Sequence, residues 1–62
     1  MTAREREVLE LLAGGATDRQ IAATLFISEK TASAHVANIK GKLGAANRVE
    51  AASIAHRLGL VG

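Results

Sequence analysis

An all-α fold of four short helices, the middle two joined as a helix-turn-helix, is what this sequence predicts. Three observations predict it. Apolar residues recur at helical period along the whole chain. Each periodic stretch opens on a capping signal and three of them close on glycine. There is no Pro, and Ala is the commonest residue, so the composition favours helix throughout.

The organising stretch is DRQIAATLFISEKTASAHVANIKGKL, residues 18–43. A short helix runs from Asp18 to Leu25, a tight turn passes through Phe26 and Ile27, and a longer helix starts after Ser28. Ile21, Ala22 and Leu25 form one apolar face. Ala32, Val36, Ile39 and Leu43 form the other, at the i, i+4, i+7, i+11 spacing of a single stripe. Ile27 is placed to plug the corner between them, with Phe26 shielding the turn. Two helices joined so tightly cross steeply, the arrangement in which the second helix enters a DNA groove.

Helices are expected near 3–13, 18–25, 29–43 and 48–58, in one domain covering residues 1–62. Thr2-Ala-Arg-Glu5 and Thr17-Asp-Arg-Gln20 have the capping-box pattern, and Asn47-Arg-Val-Glu50 is a close variant. Ser28 is a simpler N-cap, with Glu29 favourable in the first turn. Gly14-Gly15, Gly44 and Gly59 mark helix ends. In the first helix, Val8, Leu9, Leu11 and Leu12 are directed inward. Arg4, Glu5, Arg6, Glu7 and Glu10 are directed to water. In the fourth, Ala51, Ile54, Ala55 and Leu58 fall inside and Val49, Ala52, Ser53 and His56 outside. That outer side of small residues permits close approach by a second copy, or is simply an Ala-rich exposed helix.

A chain of 62 residues buries only about 60% of its unfolded surface. It has no Cys and no Cys/His cluster, so neither a disulfide nor a metal staples it, and no cofactor is expected. No apolar run approaches a membrane span, and a cytoplasmic location is expected. Net charge is +2, but unevenly spread. Residues 1–29 carry three Arg against five acids, or −2, and residues 30–62 carry five cations against Glu50, or +4. The positive pole falls on the third helix and the residues C-terminal to it, as a site for a polyanion would require. A solvated charged face is the plainer explanation.

With the third helix's stripe buried, its opposite face carries Lys30, Ala34, Ala37, Asn38 and Gly41. Ser33 and Lys40 flank it on one side, Thr31 and Lys42 on the other. The three lysines can neutralise phosphates and Thr31 can donate to one. Asn38 and Ser33 can bond base edges, and the methyls of Ala34 and Ala37 can touch thymine. Arg19 and Gln20 can reach a phosphate beside the second helix's N-terminal N–H groups. His35 lies about 60° off the stripe; it is expected to be half-buried against the second helix with one ring nitrogen bonded nearby, in preference to a pH-sensitive or phosphate-binding role. No nucleophile stands near a base, and there are no paired carboxylates or phosphate-binding Gly loop, so no enzyme is expected.

The stretch TAREREVLELLAGGATDRQIAATLFISEKTASAHVANIKGKLGAANRVEAA resembles the C-terminal DNA-binding domain of the LuxR family of bacterial transcription regulators, over nearly all of the chain. Thr2, Arg4, Glu5, Glu7, Val8, Leu9, Ile21-Ala22, Leu25, Ile27-Ser28 and Thr31 carry the likeness. So do His35, Ile39, Lys42-Leu43-Gly44, Arg48 and Glu50-Ala51. The resemblance implies a third helix reading the major groove, with Ser33, Ala34, Ala37 and Asn38 at bases. It implies phosphate contacts at Arg19, Lys30, Thr31, Lys42 and Arg48. It also implies pairing of two domains through the fourth helix on a two-half-site operator, and a sensor or receiver region elsewhere in the parent regulator. Double-stranded DNA and a second copy are the expected partners, and RNA polymerase a further one; no membrane is.

Departures exist: Ala32 stands where many members have Val, Ser33 where they have Lys, and Gly41 is unusual inside a helix. The ending AASIAHRLGLVG is similar to tails of large ATP-binding LuxR-type regulators, and a two-component response regulator fits nearly as well. Two other functions compete. One is a small helical protein-interaction module whose basic face docks an acidic partner. The other is the promoter-binding end of a sigma factor, against which the fourth helix counts.

Overall fold

A computed structural model describes residues 1–61, in four helices: α1 (Ala3–Ala13), α2 (Asp18–Leu25), α3 (Glu29–Leu43) and α4 (Arg48–Arg57). The helix-turn-helix is α2 and α3. They pack on one another, while α1 packs against α3 and α4 and touches α2 least. The core is drawn from every helix: Val8, Leu9 and Leu12 of α1, Ile21 and Ala22 of α2, Ala32, Val36 and Ile39 of α3, Ala51 and Ala55 of α4. Leu11, Leu25, Ile27, Leu43 and Ala45 close around it, partly buried.

The caps form as the sequence directs. Thr2 Oγ1 accepts from Glu5 N–H at 3.1 Å while Glu5 Oε1 accepts from Thr2 N–H at 3.0 Å. Thr17 and Gln20 repeat the exchange in α2. At α4 the variant differs: Asn47 Oδ1 takes the Glu50 N–H, but the Glu50 carboxylate reaches one residue further back, to Ala46 N–H. Ser28 Oγ accepts from Thr31 N–H at 3.0 Å. Each satisfies donors that a helix start leaves without partners.

The turn that creates the motif depends on one unusual backbone. Phe26 caps α2 in the left-handed region, at φ 56° and ψ 45°, which non-glycine residues rarely adopt. The N–H groups of Phe26 and Ile27 both bond the Ala22 carbonyl oxygen. This reversal aims the Phe26 side chain outward, so it is 95% exposed and does not shield the turn as expected. Ile27, the next residue, packs inward instead.

Two further expectations are corrected. Glu5 does not face water but is buried, because the stripe of α1 begins with it: residues 5, 8, 9 and 12 share one face. Leu58 is exposed rather than inside: its N–H still bonds the Ile54 carbonyl as in a helix, but it stands past the last residue of α4, just before Gly59 turns the chain at φ 70°. Leu60 and Val61 pack against the core in its place.

Candidate nucleic-acid interface

Burial of Ala32, Val36 and Ile39 fixes the rotation of α3 about its axis. The opposite side then has nowhere to go but solvent. Lys30, Thr31, Ser33, Ala34, Ala37, Asn38 and Gly41 are all exposed, as are Arg19 and Gln20 in the first turn of α2. A Cβ placed on Gly41 would meet open space, so no intramolecular packing demands glycine there. This face is low, with two methyls and a bare backbone position between short polar groups. His35 is half-buried as expected, but the expected ring-nitrogen bond does not form: among the described residues the ring has no hydrogen-bond partner.

The cations around this face fall into two sets. Among the described residues, Arg19, Lys30 and Lys40 have no ion-pair partner; Arg19 and Lys30 are exposed, Lys40 less so. Lys42 and Arg48 are held. Lys42 Nζ lies 2.6 Å from Glu5 Oε1, joining the end of α3 to the start of α1. Arg48, the first residue of α4, donates from one guanidinium nitrogen to Asp18 Oδ1 at 2.9 Å and from the other to the Ala16 carbonyl at 2.8 Å. The hydrogen bond from Lys42 is the main reason that the Glu5 carboxyl is lowered from 4.5 to about 2. The Thr2 N–H adds to the effect, and burial opposes it.

Sequence reasoning named Lys42 and Arg48 as phosphate-facing but missed the acids behind them. A signal was present. Glu5 stands at i, i+3, i+4, i+7 with Val8, Leu9 and Leu12, and Asp18 in the same relation to Ile21, Ala22 and Leu25. A carboxylate opening an apolar stripe must find a cation or a cap, because burying it alone is costly.

On α4, Val49 is 76% exposed, Ser53 and His56 are exposed and Ala52 is half-buried. The His56 Nε2 atom lies 3.4 Å from the Ala13 carbonyl oxygen at the end of α1. Val49 and Ala52 border a shallow, mostly apolar groove of about 320 Å³ whose other walls are Leu12, Ala13, Gly15, Ala16 and Arg48. Among the described residues no group of His, Cys, Asp or Glu could hold a metal, and no helix is long and apolar enough to cross a membrane.

The family described as bacterial regulatory proteins, luxR family, matches residues 1–55. This chain belongs to that family. It is 47% identical over 62 residues to the uncharacterized transcriptional regulatory protein YhcZ of Bacillus subtilis, covering all of this chain and 29% of that protein. The solved structure of the transcription factor GerE superposes with a TM-score of 0.89 at 39% identity, covering 100% of this chain and 92% of that one. The LuxR-type receptor VqmA of Vibrio cholerae, solved as a dimer without its target DNA, superposes at 0.94 with 36% identity, over 100% of this chain and 29% of that one. The chain is therefore a LuxR-type helix-turn-helix DNA-binding domain of the kind found in transcription regulators. It spans about three tenths of the first curated relatives it matches.

Proposed function

We propose that this LuxR-family domain is the sequence-specific output domain of a bacterial transcription regulator acting in the cytoplasm, with α3 in the major groove of duplex DNA. The exposed outer face of α3 carries the reading: Ser33, Ala34, Ala37 and Asn38 stand clear of the core, on a helix whose other side buries Ala32, Val36 and Ile39. A B-form major groove admits such a helix, and a face without bulky side chains lets its backbone come close. Asn38 bonds adenine edges, Ser33 bonds neighbouring edges, and Ala34 and Ala37 touch thymine methyls. Arg19, Lys30, Thr31, Lys42 and Arg48 contact phosphates. Few of the face's side chains hydrogen-bond bases, so most of the affinity is electrostatic.

A second copy binds through Val49, Ala52, Ser53 and His56 of α4. Support comes from the exposure of Val49 at the edge of an apolar groove, a poor arrangement for a surface left in water. Two copies related by a two-fold axis read two half-sites, and the bound pair presents a surface to RNA polymerase. Selection from a pool of random duplexes tests the whole reading. Enrichment of a two-fold related motif is the expected result. No enrichment, with tight binding to an acidic protein, would make the basic face a protein-docking surface instead.

A further inference from the structure

The two cations that flank the α3–α4 turn are each gripped by a carboxylate from the first turn of another helix. Glu5 of α1 holds Lys42, and Asp18 of α2 holds Arg48. Neither grip exhausts its cation. An ammonium has three N–H donors and a guanidinium five; one of Lys42's goes to Glu5, and the Lys42 side chain stays 49% exposed. Arg48 uses two nitrogens inward and its side chain stays 38% exposed. The Glu5 side chain, by contrast, is only 7% exposed. At this pair the acid is behind and the base in front; Asp18, 30% exposed, lies nearly level with Arg48.

We infer that Glu5 and Asp18 are positioning residues for DNA binding, each fixing a cation so that its remaining donors meet a backbone phosphate; this rests on the DNA-binding reading above. The physical reason is the entropy of long side chains. A lysine free in solution must be ordered when it meets a phosphate, whereas Lys42 is ordered beforehand by a bond from behind. A surface carboxylate would repel the phosphate. Glu5, sunk beneath the ammonium it orients, is shielded from it.

Glu5→Gln raises the net charge by one, and long-range electrostatics alone predicts tighter binding to a polyanion. Positioning predicts the reverse. Helix α1 should survive the change, since Gln20 fills the same role in the capping box of α2. Binding to a fluorescently labelled random-sequence duplex is measured by anisotropy at several salt concentrations, on variants shown to be folded by circular dichroism. Glu5→Gln should weaken binding about two- to tenfold. Lys42→Ala should weaken it and shallow the salt slope by about one phosphate's worth, and Glu5→Gln should then add nothing. Asp18→Asn should weaken binding likewise through Arg48, and decides the matter if Glu5→Gln fails to fold. Equal or tighter binding by the folded variants overturns the inference, as does a Glu5→Gln effect that persists without Lys42. A parent chain that binds no duplex overturns the DNA-binding reading and this inference together.

Discussion

Glu5 and Lys42 stand 37 residues apart in the chain and 2.6 Å apart in space, so that one ion pair ties the start of the first helix to the end of the third. The same Glu5 oxygen also accepts the Thr2 N–H. One carboxylate thereby completes a helix cap and holds a cation beside the proposed DNA face. In a domain with little core, such overlap of local and long-range roles is what makes a single arrangement preferred.

This pair should govern the acid limb of stability. The Glu5 carboxyl is lowered to about 2, chiefly by the Lys42 hydrogen bond, from an ordinary value of 4.5. The folded-state value lies below the unfolded one, so the ionised carboxylate stabilises the fold in full above about pH 4.5 and the contribution is lost as pH falls towards about 2. Melting temperatures followed across that interval should show the parent well above Glu5→Gln at the upper end, with the two converging at the lower. A constant separation would mean that the pair does not persist in solution.

How much of this was legible in the sequence depended on the range of the interaction. The four helices and their caps are local, written within three or four residues as in Thr2 with Glu5 or Thr17 with Gln20, and the structure follows them closely. The outer face of α3 was legible too, because the stripe Ala32, Val36, Ile39 leaves one rotation open. What was not legible needed partners distant in sequence or a backbone that residue type disfavours. Lys42 reads as a surface lysine until Glu5 is brought to it. Phe26 reads as a shield until its left-handed backbone turns it outward. Leu58 falls inside on a helical wheel, but α4 stops one residue before it.

Gly41 offers a prediction independent of any ligand. It lies within α3, is exposed, and a Cβ there would meet nothing within contact range. Glycine in a helix interior costs about 1 kcal/mol relative to alanine, largely through the freedom it gives the unfolded chain. Gly41→Ala should stabilise the domain by about that amount and raise its melting temperature by about 4–8 °C. A calorimetric scan showing no gain would place α3 in a different conformation at this point.

Ala34 separates the fold from the function. It is exposed in the middle of α3, on the side away from Ala32, Val36 and Ile39. A glutamate there keeps good helix propensity. It should leave the stability within about 0.5 kcal/mol of the parent, as surface substitutions usually do. In the groove the same side chain would be too long for the base edges and would set a negative charge among phosphates. Like charges forced together at a desolvated interface cost several kcal/mol, which is a loss of more than about a hundredfold in affinity. Ala34→Glu should therefore abolish detectable duplex binding in an anisotropy titration while its circular dichroism melt overlays that of the parent. Full binding by this variant would take α3 out of the groove, and the exposed face would then belong to a protein partner.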